Sequence, residues 1–177
     1  MFIAVFLIGM LFTLGLHTYD KVYTEIEIEA SSDDVWKTLT DFESYPVWNT
    51  FITKASGQLS VGEISDVTIA LPFSKSMDFK LEIADIVEGQ EFVWVGETLE
   101  KKVLDGEHRF RIESLESGGT KFSQEEKFSG ILLYLVLPFI KASVESNFKK
   151  MNQALKNRVE GTINSQDKPS ELQAGPA

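Results

Sequence analysis

The stretch that decides the fold of this 177-residue chain is residues 106–130, which reads Gly-Glu-His-Arg-Phe-Arg-Ile-Glu-Ser-Leu-Glu-Ser-Gly-Gly-Thr-Lys-Phe-Ser-Gln-Glu-Glu-Lys-Phe-Ser-Gly. Two segments of alternating character flank Ser117-Gly118-Gly119, a pattern that is typical of an antiparallel hairpin with a glycine turn. Because successive side chains of a strand point to opposite sides of a sheet, the alternation sorts the stretch onto two faces.

The two faces of the predicted hairpin differ in chemistry. One carries mixed charges suited to water and cross-strand pairing, and we expect its Arg109 and Arg111 to pair with Glu125. Its members are Glu107, Arg109, Arg111, Glu113, Lys121, Ser123, Glu125 and Lys127. The other is mostly apolar with three polar side chains: His108, Phe110, Ile112, Phe122, Gln124, Glu126 and Phe128. An apolar surface with a few converging polar groups is what a ligand cavity needs, so this second face is predicted to line one.

Composition limits the classes of function. The formal net charge is -10, which argues against non-specific binding to nucleic acid. The chain has no cysteine, so thiol catalysis, disulfides and cysteine-ligated metal sites are excluded. Only two histidines occur, and the sequence has no phosphate-binding glycine loop, nucleophile elbow or dinucleotide fingerprint. We therefore predict neither a metal nor a cofactor, and we leave the oligomeric state open.

The N-terminus is predicted to attach the protein to a membrane. Residues 1–16 carry no charged side chain, and extension to Tyr19 approaches the length of about 20 residues that a spanning helix needs. A cleaved signal peptide fits less well, because a basic start and a small-residue cleavage site are both missing. Alternatively the segment folds onto the domain or a second copy, which would make the protein cytoplasmic. We assign residues 1–20 to this segment, with its side of the membrane undetermined.

The next part of the chain predicts one strand, two short helices and then further strands. Residues 22–30 alternate as a half-buried strand. Capping side chains at residues 31–34 favour a helix from about Ser32 to Asp41, and Pro46 limits the next segment to a second short helix or turn. Strands are expected over residues 51–59, 63–71, 77–87 and 91–96. With the hairpin, they make seven antiparallel strands.

After Gly130 the spacing of apolar residues changes from that of a strand to that of a helix. Apolar residues recur at helical spacing at Ile140, Val144, Phe148, Met151, Leu155 and Val159, opposite Lys141, Glu145, Lys149, Asn152 and Lys156. This pattern predicts a long amphipathic helix. Residues 161–177 have almost no apolar content and are predicted to form a disordered tail. The fold class is therefore α+β, with a curved sheet around a long helix and an elongated space between them.

The assembled pattern resembles the START-like, or SRPBCC, superfamily, which includes polyketide cyclase/dehydrase-like and birch-pollen-allergen-like groups. The resemblance covers residues 22–159. It rests on residues 28–36, 41–49, 106–110 and 118–130 and on the helix at 148–155. It implies a helix-grip fold over residues 21–160 with a hydrophobic ligand cavity. It implies no defined reaction, because the superfamily hosts many functions. The apolar N-terminal segment departs from the usual domain.

His108 and Glu126 are the candidate chemical pair, predicted on the same face of adjacent strands. Within hydrogen-bond reach, the carboxylate would orient and charge the imidazole, and the pair could act as general acid and base. The pair could instead hold the polar head of a ligand. It could also satisfy itself as a buried polar pair that fixes strand register. All three roles stay open on the sequence, and no catalytic residue is assigned firmly.

The predicted function is binding or carriage of a small hydrophobic molecule, such as a lipid, an isoprenoid or a polyketide-like compound. One alternative is a polyketide cyclase or aromatase-type enzyme that uses His108 and Glu126. The other is a noncatalytic interaction module with a filled core. Asn49 is placed near the cavity mouth. The predicted ligand-binding residues are Trp48, Asn49, Phe79, Trp94, His108, Phe110, Phe122, Gln124, Glu126 and Phe128.

Overall fold

The alternating segments form a single antiparallel sheet in the computed structural model, which describes residues 19–70, 76–98, 104–130 and 133–166. Its seven strands are β1 (Tyr19–Ile28), β2 (Ile52–Ser56), β3 (Ile64–Ile69), β4 (Met77–Val87), β5 (Glu91–Thr98), β6 (Leu104–Ser114) and β7 (Thr120–Ser129). The helices of the described part are α1 (Ser32–Thr40), α2 (Tyr45–Trp48) and α3 (Leu133–Gln166), with a 3₁₀ turn at Phe42–Ser44.

The strand order is β1-β7-β6-β5-β4-β3-β2, so the chain's first strand pairs with its last. All other strands pair with their neighbours in sequence. The sheet curls into a half-barrel that holds α3 against its inner face, and the predicted helix-grip fold is confirmed. This order places the β6–β7 hairpin between β5 and β1.

The hairpin has the register that its alternation predicts. β6 and β7 pair continuously from Asp105 opposite Ser129 to Ser114 opposite Thr120. The turn between them contains Gly118 at φ 88°, a left-handed conformation that glycine adopts without steric cost. His108 consequently lies directly opposite Glu126.

The two short helices close one end of the sheet. α1 begins as predicted, because the Ser31 hydroxyl accepts a hydrogen bond from the Asp34 backbone N–H at 3.2 Å. Pro46 lies in the first turn of α2, where its missing N–H costs no helical hydrogen bond. The Tyr45 hydroxyl donates to the Leu39 carbonyl at 2.6 Å and so joins α2 to α1. Burial raises the pKa of Tyr45, so this hydroxyl keeps its proton.

The long helix extends further in both directions than the sequence pattern indicated. α3 begins at Leu133 rather than near Ile140 and continues through Pro138, although proline removes one intrahelical hydrogen bond. It ends at Gln166, so the predicted tail boundary at residue 161 lies inside the helix.

Residues 1–18 of the predicted membrane segment and most of the predicted tail lie outside the described residues, whereas Tyr19 and Asp20, the last two residues of that segment, belong to β1. Across residues 19–70, 76–98, 104–130 and 133–166, we find no helix with the combined length and apolar character needed to cross a bilayer.

Candidate functional site

A row of polar and aromatic side chains crosses the inner face of the sheet. Trp94 on β5 lies opposite His108 on β6, which lies opposite Glu126 on β7. We call these three residues the polar row. Neighbouring strands are about 4.8 Å apart, so the three side chains share one band of the inner face and divide it into two ends.

One end of the inner face is filled. Phe92 stacks on Phe110 with ring centroids 4.5 Å apart, and Phe122 is fully buried beside them. The ring of Phe148, from α3, stacks on His108 at 4.6 Å. We call this the filled end. Phe110 and Phe122, both predicted as ligand-binding residues, therefore lie in close-packed core.

The other end is incompletely covered by the residues that the structure describes, and we call it the open end. Its inner-face residues Phe79, Leu81 and Phe128 remain partly exposed, and Met77 is 44% exposed. Two glycines, Gly96 and Gly106, pair directly across β5 and β6. A Cβ at Gly106 would lie 2.5 Å from Glu126 Oε1, and one at Gly96 would lie 2.5 Å from Leu81 Cδ2. The glycines thus allow Leu81 and Glu126 to lean over the backbone.

A chain of buried polar groups runs from the polar row to β1. His108 Nε2 lies 3.1 Å from Gln124 Oε1. The Gln124 amide nitrogen donates to Asn152 Oδ1 and, at 3.4 Å, to the Phe148 carbonyl. Asn152 Nδ2 donates to the Thr24 hydroxyl at 3.1 Å. We call His108, Gln124, Asn152 and Thr24 the polar chain, and it connects the hairpin to both α3 and β1.

The direction of these hydrogen bonds fixes the proton on His108. Because the Gln124 nitrogen is used to donate toward α3, its oxygen faces His108 and must accept. His108 therefore carries its proton on Nε2 and presents the lone pair of Nδ1 toward Glu126. The Nδ1 to Glu126 Oε2 distance is 3.4 Å, longer than an ordinary hydrogen bond.

Both members of the predicted chemical pair are uncharged at neutral pH. Burial lowers the pKa of His108 to about 3, against a smaller opposing effect of the Gln124 hydrogen bond. Burial raises the pKa of Glu126 to about 8, helped by the negative charge of Glu107. A carboxylate was expected to charge the imidazole only within hydrogen-bond reach, a condition that the 3.4 Å separation does not meet. Desolvation is the largest cause of both pKa shifts, and it disfavours the charged form of each group.

Trp48 and Asn49, at the end of α2, have structural roles in this arrangement. The Trp48 indole donates to the Ser44 hydroxyl at 3.0 Å. Asn49 Oδ1 accepts the backbone N–H groups of Phe51 and Ile52 at 3.0 and 2.9 Å, which starts β2. The Asn49 amide nitrogen and the Trp94 indole nitrogen are buried without a hydrogen-bond partner among the described residues. Their contact with a ligand stays a prediction.

On the outer face Arg109 lies directly opposite Glu125 across the strands, as predicted, but the ion pairs of the two arginines go to a different carboxylate. Arg109 and Arg111 both bind Glu91 of β5, with Arg111 Nε 2.7 Å from Glu91 Oε2. Glu125 pairs instead with Lys21 at 3.2 Å. Two guanidinium groups form charge-assisted hydrogen bonds with this one carboxylate, which explains how Glu91 can be almost fully buried.

Sequence reasoning missed Asn152, which is 2% exposed rather than on the polar face of α3. Its spacing was the available signal, since it lies four residues after Phe148 and three before Leu155, on the buried face. No cluster of three or more metal-ligating side chains occurs within the part of the chain that the structure describes.

The fold and the polar row define a helix-grip domain whose inner face combines packed core with a partly exposed apolar surface. The chain belongs to the family described as polyketide cyclase/dehydrase and lipid transport, which matches residues 19–160. No curated protein matches the sequence.

Solved structures agree on the fold. The chain is similar to the di-domain ARO/CYC StfQ of the steffimycin biosynthetic pathway, with a TM-score of 0.69 and 10% identity over 87% of this chain and 55% of StfQ. This chain thus spans about half the length of StfQ. It is also similar to the Zhui aromatase/cyclase from Streptomyces sp. R1128, with a TM-score of 0.68 and 13% identity over 85% and 99% of the two chains. It is similar as well to a START superfamily protein from Mycobacterium smegmatis, with a TM-score of 0.66 and 20% identity over 80% of this chain and 98% of that protein. At these identities the likeness establishes the fold alone.

Proposed function

We propose that this protein binds a small hydrophobic molecule at the open end of the sheet. The observation that carries the proposal is the contrast between the two ends of one inner face. Phe92, Phe110 and Phe122 are fully buried at the filled end, whereas Phe128 remains partly exposed at the open end. Apolar burial would drive binding, at about 25 cal/mol for each Å² removed from water before ordering costs.

The glycine pair supports the same location. The absence of inner side chains at these two positions lets Leu81 and Glu126 lie over the backbone, which brings an apolar and a polar side chain to the open end. The neutral Glu126 at the border supplies a polar group that can orient a ligand. A membership in a family described as including lipid transport agrees with this class of ligand.

A cyclase-type reaction is the second candidate, and the protonation of Glu126 favours it. A carboxylic acid that keeps its proton at neutral pH can donate it to a carbonyl oxygen as a general acid. We rank ligand binding above catalysis because binding requires only the burial of apolar surface and no chemical step. Turnover that is lost in Glu126→Gln while ligand affinity is kept would establish the enzyme.

Substitution of Gly106 by valine is expected to weaken binding of Nile red, an uncharged apolar dye, at least tenfold. The new Cβ displaces the Glu126 carboxyl, which would lie 2.5 Å away, and the two methyl groups fill the open end. The measurement is a fluorescence titration of the full-length chain, purified without detergent.

Gly161→Val is the matched control, because a Cβ at Gly161 meets no atom within 4 Å. Both variants keep the apolar N-terminal segment, so any dye bound there cancels in the comparison. Equal affinity for Gly106→Val and wild type would place the site elsewhere. No binding by the wild type would favour the filled-core interaction module.

We also propose that the segment before β1, residues 1–18, tethers the protein to a membrane. Support comes from the sixteen uncharged residues at the N-terminus, a length near that of a bilayer-spanning helix. In liposome flotation we expect the full-length chain to float and the double variant Phe6→Asp, Leu7→Asp to stay at the bottom. Equal flotation of the two would contradict the tether.

A further inference from the structure

We infer that the ligand of the open end is uncharged and carries a hydrogen-bond acceptor, such as an ester, ketone or quinone oxygen, that binds the protonated carboxyl of Glu126. This inference rests on the proposed function and names the chemical class that the site selects. Two observations support it: the direction of the hydrogen bonds along the polar chain, and the charges that surround Glu126.

The polar chain makes Glu126 a hydrogen-bond donor. His108 uses its only proton toward Gln124, so Nδ1 offers a lone pair 3.4 Å from Glu126 Oε2. Because burial keeps the imidazole neutral, an ionised carboxylate at that distance would face this lone pair and be repelled by it, whereas an uncharged carboxyl group would not. The geometry of the neutral ring therefore favours the protonated acid, and the raised pKa of Glu126 agrees with it.

The acid also has capacity left for a ligand. Its side chain is 14% exposed, and no described residue forms a hydrogen bond with it. A carboxylic acid has one proton, and the contact with His108 is too long to hold that proton on Oε2, so Oε1 can carry it instead. The glycine at position 106 lets Oε1 lie over the backbone at the open end. An acceptor oxygen that enters beside Phe128 would meet this donor.

The charges around the site disfavour an anionic ligand. His108, from β6, is neutral, and Glu107 lies on the opposite face of the same strand. At the rim, Lys141 of α3 is paired with Asp20 of β1 at 2.8 Å. A carboxylate that enters would lose water without gaining an unpaired cation among the described residues, and burial of such a charge is costly.

A matched ligand pair tests the inference. Methyl laurate and laurate differ in charge but share the same acyl chain, and each is used to displace Nile red from the full-length protein at pH 7. We expect methyl laurate to bind at least tenfold more tightly than laurate. Wild-type affinity for the ester should fall as the pH rises from 7 to 9.5, because Glu126 ionises and no longer donates.

Glu126→Gln separates this role from general effects of pH, because its amide still donates but cannot ionise. The variant should bind methyl laurate with an affinity that does not fall over the same pH range. Tighter binding of laurate, displacement by neither ligand, or an equal fall of ester affinity in wild type and variant would overturn the inference while dye binding persists. Absence of dye binding by the wild type would instead overturn the proposed function, and the inference with it.

Discussion

Replacement of Gln124 by alanine should lower the free energy of unfolding by about 3–5 kcal/mol. Gln124 is fully buried, and its amide joins His108 to both Asn152 and the Phe148 carbonyl. The substitution leaves these buried groups without partners and opens a cavity in the filled end. Urea denaturation of the full-length chain, followed by circular dichroism, measures the change.

Two further variants separate the causes of this loss. Gln124→Leu restores the volume without the hydrogen bonds, so it should recover only part of the stability. Gln153→Ala removes an exposed amide of α3 that bonds only to Asn157 among the described residues, and its effect should stay within about 0.5 kcal/mol. A Gln124→Ala protein as stable as Gln153→Ala would show that the polar chain contributes nothing to stability.

Stability should depend on pH through Glu126 and His108 in opposite directions. The pKa of Glu126 rises from 4.5 to about 8 on folding, so between these values the folded state holds a proton that the unfolded chain has lost. The pKa of His108 falls from 6.5 to about 3, so between those values the unfolded chain holds the extra proton. Each imbalance changes the free energy of unfolding by about 1.4 kcal/mol per pH unit.

The two groups therefore stabilise the fold at opposite ends of the pH range. Glu126 stabilises most below pH 4.5, and its contribution is lost as the pH rises to about 8. His108 stabilises most above pH 6.5, and its contribution is lost as the pH falls to about 3. Their slopes cancel where the two windows overlap. Wild type should therefore lose stability relative to Glu126→Gln above pH 4.5, and relative to His108→Gln below pH 6.5.

Denaturation series at about pH 4 to 8 for the three proteins measure these differences, and the contributions of all other titrating groups cancel in each comparison. NMR supplies an independent check, since the chain has only two histidines and the His108 ring should remain neutral with its proton on Nε2 at about pH 5. The assigned protonation states would be contradicted if the free energy of unfolding varied with pH in the same way for wild type and both variants. A charged His108 ring at about pH 5 would contradict them as well.

The sequence predicted the hairpin and its inner face because local alternation and a glycine turn determine both. The placement of His108 and Glu126 on the same face of adjacent strands followed from the alternation alone, whereas their position directly opposite each other came from the structure. The start of α1 at Ser32 is likewise determined by neighbouring residues, since the Ser31 side chain caps a backbone N–H only three residues further along the chain. Features of this kind need no knowledge of tertiary contacts.

The protonation of the pair could not be read from the sequence. A histidine opposite a glutamate suggests an ion pair, and the outcome depends on burial by Phe148 of α3 and on the direction in which Gln124 donates. The partner of Arg109 could not be predicted from the hairpin for a related reason, because Glu91 lies on β5, which is outside the hairpin.

The open end could not be predicted from the sequence, because its location depends on the register between β5 and β6. Gly96 and Gly106 are ten residues apart in the chain, and nothing local indicates that they pair across two strands. Likewise, only the position of α3 shows that aromatic residues of similar sequence context, such as Phe110 and Phe128, differ in packing.

Native mass spectrometry of the full-length wild type and Gly106→Val, purified side by side without detergent, tests the central claim most directly. Organic extraction of each sample then identifies any released molecule. We predict that the wild type carries an uncharged apolar compound that solvent releases, and that Gly106→Val carries much less of it. Equal occupancy in both proteins, or a wild type that is free of any bound compound and also fails to bind Nile red, would contradict a ligand site at the open end.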